Sequence, residues 1–229
     1  MNKKVLVLII IGIILAVIGF IFGGLTIYRF CVIQNIYGKI NENVLKENYY
    51  LKTTVVSKNN NSTTESYYRN GVGKLIAENG IYTWADGEYA YLVDEENKDV
   101  YVLNIKNENL GLVSADMFAS MVPGFNRNIF ERLIIAGNLK NTIKKSKENE
   151  KKCYIIKVRD ENSVKTIWLN EKATPYKGEV QFNNGEVFKY EYEIKFNSVT
   201  LKDIELPQID DYTVVDAETN EIIQDKNKE

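Results

Sequence analysis

The stretch YKGEVQFNNGEVFKYEYEIKF, Tyr176 to Phe196, decides the fold. Tyr176, Gly178, Val180 and Phe182 alternate with Lys177, Glu179 and Gln181. Past Asn184-Gly185, Phe188, Tyr190, Tyr192, Ile194 and Phe196 alternate with Lys189, Glu191, Glu193 and Lys195. A period of two is the period of a strand, and Asn-Gly supplies the residues that a tight hairpin needs. One face of this hairpin is apolar and aromatic and the other is charged, so it belongs to a sheet that buries one side.

Similar strands extend outward from it. In Tyr49–Ser57, Lys52 marks a wet face, so Leu51, Thr53 and Val55 face inward, and the Asn-rich run Ser57–Thr63 reads as a turn. Strands are expected near Glu65–Asn70, Val72–Glu78, Ile81–Trp84, Glu88–Asp94 and Asp99–Asn104, with turns at Asn79-Gly80, Asp86-Gly87 and Glu95–Lys98. After the middle of the chain come Asn141–Ser146, Lys152–Arg159 and Val164–Asn170. Strands joined by turns this short pair antiparallel with their neighbours. Between the two meanders, Ser114 can cap a short helix over Ala115–Met121 that Pro123-Gly124 ends. Asn126 or Asn128 can start a second helix running to Gly137. These helices present Met117, Phe118, Met121, Ile129, Phe130, Leu133 and Ile134, and are expected to lid the apolar face of the sheet. One more strand is expected around Tyr212–Val215, followed by a polar tail.

The amino-terminal end is of a different kind. Val5 to Tyr28, VLVLIIIGIILAVIGFIFGGLTIY, holds no charged residue in 24 positions, about 36 Å of helix against a hydrocarbon core of about 30 Å. A cleaved secretory signal would have a shorter apolar core and small residues at its end, and Tyr28, Arg29 and Phe30 ahead of Cys31 are too bulky for a lipoprotein signal. The run reads as a transmembrane helix. Lys3 and Lys4 precede it while Arg29 and Lys39 follow, a mild lean toward a cytoplasmic amino terminus. Beyond it, Val32, Ile33, Ile36, Tyr37, Ile40, Val44 and Leu45 recur at helical spacing, giving an amphipathic helix expected to pack on the domain. The chain therefore divides into an anchor (1–30), an amphipathic helix (31–48), one domain (49–215) and a polar tail (216–229).

Composition excludes more than it selects. Beyond residue 30 there are 26 basic and 31 acidic residues, a net of −5, which disfavours nucleic acid and anionic headgroups as partners of the domain as a whole. There is no histidine, so the commonest general base and metal ligand are missing, and no Cys pair has zinc spacing. No P-loop or GxGxxG is present. The acidic groups Asp94/Glu95/Glu96, Glu191/Glu193 and Asp210/Asp211 fall in turns or on a charged strand face; neither glycoside chemistry nor a calcium site is expected of them. Cys31 and Cys153 read as two small apolar residues, and the Asn60 and Asn61 glycosylation patterns as chance in an Asn-rich loop. No enzyme activity, cofactor or metal is expected.

Three sets of residues, taken in order, resemble the LolA-like lipoprotein-carrier superfamily across roughly Tyr49 to Val215. They are Trp84-Ala85-Asp86-Gly87 with Tyr89 and Tyr91, Leu133-Ile134-Ile135-Ala136-Gly137 ahead of a strand, and Thr166-Ile167-Trp168-Leu169-Asn170 running into Thr174-Pro175. The resemblance implies an α+β, mainly β fold: one strongly curled antiparallel sheet, an incomplete barrel whose apolar concave side is covered by short helices. It also implies a concavity that takes acyl chains or, in sensor-type relatives, lipid or peptide signals. Soluble carriers leave the membrane, whereas this chain reads as tethered, so presentation or sensing at one membrane fits better than ferrying.

The candidate ligand-binding set is aromatic: Trp84, Tyr89, Tyr91, Trp168, Phe182, Phe188, Tyr190, Tyr192 and Phe196, with Met117, Phe118, Met121, Phe130 and Leu133 as lid residues. The expected function is a single-pass, extracytoplasmic domain at the cell membrane that binds a lipid, a lipoprotein acyl chain or another apolar ligand. The alternative is a tethered interaction or sensor domain that meets a membrane protein partner and takes no small molecule.

Overall fold

The computed structural model describes residues 3–58, 61–77, 80–105, 117–148, 150–206 and 208–224, with side chains from residue 10 onward. The chain begins with one continuous helix, α1, Lys3–Val44. The expected division after residue 30 is not a break in the backbone. No proline interrupts α1, and what changes along it is the surroundings. From Ile10 to Phe22 the apolar side chains are exposed, Phe20 at 85%, whereas Val32, Ile33, Ile36, Tyr37 and Ile40 are buried. The expected amphipathic stripe is therefore present and packed on the domain. Leu45 lies beyond the helix end and is exposed.

Among the described residues thirteen strands form one sheet. The first meander is β1 (Asn48–Val56), β2 (Asn61–Arg69), β3 (Val72–Ile76), β4 (Ile81–Ala85), β5 (Tyr89–Asp94) and β6 (Asp99–Asn104). Two helices follow, α2 (Met117–Ser120) and α3 (Ile129–Gly137). The second meander is β7 (Thr142–Glu148), β8 (Lys151–Arg159), β9 (Ser163–Asn170), β10 (Pro175–Phe182) and β11 (Val187–Phe196). A single 3-10 turn at Lys202–Ile204 leads to β12 (Thr213–Asp216) and β13 (Ile222–Gln224).

The strand order is β13-β12-β6-β5-β4-β3-β2-β1-β11-β10-β9-β8-β7. The chain enters at the middle of the sheet, steps outward through β6, crosses over by α2 and α3 to the far edge, and steps back until β11 lies beside β1. All pairs are antiparallel except β6 with β12. The expected tail carries a strand: β13 pairs with β12 inside residues 216–229.

Local signals account for the turns. Gly185 takes a positive φ in the four-residue loop between β10 and β11, where the Phe182 amide donates to the Glu186 carbonyl oxygen. Asp86 Oδ1 accepts from the Glu88 and Tyr89 amides between β4 and β5. Of the two possible caps of α3 it is Asn128 that acts, accepting from the Glu131 amide while the Glu131 carboxylate accepts from the Asn128 amide. The expected Ser114 cap lies outside the described residues, as do part of the Asn79-Gly80 turn and Asn60. Asn61, the other glycosylation match, begins β2 instead of lying in a turn.

Directly paired residues share a sheet face, so the register assigns each side chain a side. Tyr49, Leu51, Thr53 and Val55 stand opposite Phe196, Ile194, Tyr192 and Tyr190. This is the face that carries the helices, as the alternation in β1 and β11 predicts. Its core joins the inner stripe of α1 to Tyr49, Leu51, Phe118, Val122, Ile156, Ile167 and Leu169. Phe118 fills the middle, edge-on to Tyr49 at 5.3 Å and to Phe196 at 5.2 Å between ring centroids. A second, smaller core of Tyr82, Val93, Val100, Tyr212 and Val214 sits on the opposite face, over β4, β5, β6 and β12.

Candidate apolar ligand site

The sheet separates the nine aromatic residues expected to form one site. Phe182, Phe188, Tyr190, Tyr192 and Phe196 lie on the helix-bearing face. Trp84, Tyr89 and Tyr91 lie on the opposite face, because Trp84 pairs with Tyr91 and with Lys74, in step with Tyr67 and Tyr50. Trp168 is on that opposite face too: it pairs with Lys177, whose ammonium lies 4.8 Å from the ring centroid. Trp84 has a structural role there. It is buried, and its indole Nε1–H donates to the Ile204 carbonyl oxygen at 2.7 Å, pinning the segment after β11 onto the sheet.

The lid divides as well. Met117, Phe118 and Met121 pack into the main core. Phe130 and Leu133 do not cover the sheet: together with Ile129 and Ile134 they form the exposed face of α3, Phe130 at 75%. The reason is that α3 meets α1 with its other side. Arg132 on α3 stacks over the Tyr37 ring, 4.5 Å to the centroid, and donates to Gln34 Oε1 and to the Phe125 carbonyl oxygen. Its buried Nε has no hydrogen-bond partner among the described residues.

What remains of the helix-bearing face is a strip beyond the reach of α1. Thr53 and Val55 on β1, Phe188 and Tyr190 on β11, and Val180 and Phe182 on β10 line it, all half-buried except Phe182, which is exposed. Phe182 and Phe188 meet edge-to-face at 5.9 Å, and Tyr190 stacks with Tyr192 at 6.1 Å. Gly178 makes room for this pair: a Cβ there would stand 2.9 Å from the Tyr192 hydroxyl. Burial, and secondarily Tyr190, push the Tyr192 hydroxyl well above the ordinary tyrosine range, so it stays neutral. A cleft of about 710 Å³ opens between the end of β1 and the β10–β11 turn, with Phe188 on its wall. Sequence alternation found the aromatic residues of this strip; the need for Gly178 was legible only as a missing side chain in an aromatic strand.

A second cleft, of about 630 Å³, lies between α1 and the β7–β8 edge and is lined by Lys39, Lys145, Lys147 and Lys152 with Glu171. Lys39 is already engaged, donating to Tyr154 Oη and to the Glu171 carbonyl oxygen. Among the described residues no group of three or more His, Cys, Asp or Glu side chains could hold a metal ion. Asp94 is occupied by its turn, accepting from the Glu96 and Asn97 amides, and Glu193 pairs with Lys195 on the charged face. Both described cysteines are free thiols, Cys153 buried and Cys31 exposed.

No family model and no curated protein sequence matches this chain. The fold has counterparts among solved structures. An uncharacterized conserved protein from Thermus thermophilus is similar over 80% of this chain and 98% of its own, at 10% identity and a TM-score of 0.51. This likeness supports a shared fold and nothing about function. Weaker likenesses, with TM-scores of 0.44 and 0.38, are to MucB in the Pseudomonas aeruginosa MucA/MucB complex and to the Mycobacterium tuberculosis lipoprotein LppX. The first covers 76% of this chain and 61% of the other at 11% identity, the second 73% and 97% at 7%.

Proposed function

We propose that this protein is a single-pass, membrane-tethered extracytoplasmic domain of LolA-like architecture that holds an apolar ligand, a lipid or the acyl chain of a lipoprotein, against the uncovered strip of its helix-bearing face. The observation that carries this reading is the strip itself: Val55, Phe182, Phe188 and Tyr190 continue the face of the main core past the point where α1 stops covering it. Apolar concavities with few polar groups are the usual sites of small apolar ligands. A sheet of thirteen strands supports a concavity on general grounds, since neighbouring strands twist by about 20–25° and open sheets of more than about ten strands seldom stay flat. The tether is read from α1, which is long and apolar enough from Ile10 onward to cross a membrane. No catalytic step is assigned.

Mass spectrometry of the purified full chain tests this reading. Copurifying lipid, and uptake of a fluorescent fatty acid that Phe188→Glu abolishes, is the expected result. A chain free of lipid whose probe uptake is indifferent to Phe188→Glu contradicts it. The competing reading, recognition of a protein partner, is favoured by the exposed Ile222 and Ile223 on the outermost strand β13, because such an edge can add a strand from another chain. Crosslinking to one protein at β13, without lipid, would establish that alternative.

A further inference from the structure

α3 runs back along α1 toward the apolar end of that helix. Near its start Arg132 reaches Gln34 and Tyr37; at its end Arg29 donates to the Ala136 and Asn138 carbonyl oxygens; and Gly137 packs against Thr26. Thr26 belongs to the uncharged run that ends at Tyr28. The lower end of α3 and the turn after it are therefore held level with the last turn of that run, with no linker between.

At this level the side chains facing out are apolar. At the lower end of α3 and in the turn after it Ile134 and Leu139 are 70% and 59% exposed, Phe130 near the start of α3 is 75% exposed, and Ile27 and Tyr28 at the end of the uncharged run of α1 are exposed as well. Three cationic groups flank this segment: Arg29, held on the Ala136 and Asn138 carbonyl oxygens, Arg127 just before α3, and Lys140 in the turn after it. Arg127 pairs with Glu131, leaving a net positive rim on a domain that is otherwise acidic. An apolar face bordered by Arg and Lys at the end of a membrane-spanning run matches the boundary between headgroups and acyl chains.

We propose that α3 and the turn at Asn138–Lys140 form a second membrane contact, seating Ile134 and Leu139 in the bilayer interface of the leaflet from which α1 emerges, with Arg29 and Lys140 among the lipid phosphates. This contact rests on the reading of α1 as a membrane span. It turns a tether into a two-point mount: the domain is fixed in height and rotation, and its helix-bearing face is set at a constant angle to the membrane.

Tryptophan quenching in vesicles tests it on the full chain, using phosphatidylcholine with a minority of phosphatidylglycerol and a doxyl group placed either shallow or deep on the acyl chain. Four single variants are compared with the parent, whose Trp84 and Trp168 set the background. Phe20→Trp reports the anchor. Leu139→Trp, and Ile134→Trp one turn higher, report the proposed contact. Leu201→Trp is the membrane-distal control, because Val199 is bonded to Asn48 just past the end of α1, about 27 Å of helix beyond Thr26. All four positions are exposed, so the substitutions leave the core untouched. The expected result is deep quenching for Phe20→Trp, shallow quenching with a blue-shifted emission for Leu139→Trp and Ile134→Trp, and neither for Leu201→Trp. Quenching of Phe20→Trp with Leu139→Trp and Ile134→Trp no different from Leu201→Trp overturns the second contact and leaves the span standing, as when a protein covers the patch. Loss of quenching at Phe20→Trp as well overturns both.

Discussion

The two halves of α1 carry the same kind of side chain into different surroundings. From Ile10 to Phe22 apolar residues are exposed, while from Val32 to Ile40 they form one buried stripe in the same core as Phe118 and Leu51. A sheet of this design exposes a broad apolar face, and the second half of α1 joins the core built on it, meeting Tyr154 on β8 and the edge strand β7, while its first half is apolar and exposed. Under the function proposed above, anchor and core share one continuous helix, and the face beyond Tyr192 is the part left for a ligand.

The largest effect should come from breaking the inner half. Ile36 is fully buried, and Ile36→Asp puts an unpaired charge into the core, costing on the order of 4–5 kcal/mol or more, a large share of the stability of a domain. Loss of the cooperative thermal transition is expected in circular dichroism. Phe20→Ala, in the outer half, should leave that transition where it is. Next comes the boundary between covered and uncovered face. Gly178→Ala drives a methyl group against the Tyr192 hydroxyl and the Tyr190 Cβ, an overpacking cost of about 1–3 kcal/mol in a denaturant titration. Because Tyr192 is displaced into the strip, ligand uptake should fall further than stability does.

Two smaller changes should leave α1 indifferent and so sharpen the contrast. Trp84→Phe removes the donor to the Ile204 carbonyl oxygen, a loss of about 1–2 kcal/mol; faster amide exchange is expected over β12 and residues 201–206, and no change at residues 30–44. The smallest effect is a pH dependence at the β8–β9 turn. Asp160 accepts from the Ser163 hydroxyl and from the Asn162 and Ser163 amides and pairs with Lys165, which hold its carboxyl below the usual aspartate range. A lowered folded-state pKa contributes stability that is complete above about pH 4 and is lost as the pH falls through the folded value. The protection factor of the Ser163 amide, its exchange corrected for the intrinsic pH dependence, should fall on acidification below that point, and Asp160→Asn should flatten the response.

Much of the fold was legible in the sequence because local chemistry dictates it. Alternation in Tyr176–Phe196 gave the hairpin and its sides, Asp86-Gly87 a turn, and Asn128 a helix start. What stayed hidden depends on contacts between distant segments. The pattern of a strand states which residues share a side, but not which side of the sheet that is once registers are joined. Trp84, Tyr89 and Tyr91 therefore look like the partners of Tyr190 and lie across the sheet from it, because the 209–214 segment builds a second core there. Trp168 stands between Ile167 and Leu169, so its sequence context is apolar on either side and silent about direction. Likewise the apolar stripe of α3 reads in sequence as a lid on the sheet, and only contacts such as that of Gly137 with Thr26 on α1 reveal which element α3 lies along. The parallel pairing of β12 with β6 bridges more than a hundred residues and leaves no local mark.

Hydrogen–deuterium exchange of the full chain in a lipid nanodisc tests most directly whether α1 joins membrane and domain as one element. Amides from Phe30 to Val44 are expected to exchange as slowly as those of β1 and β11, without a gap above Tyr28. A fast-exchanging break between Arg29 and Ile36, with the sheet still protected, would contradict the account.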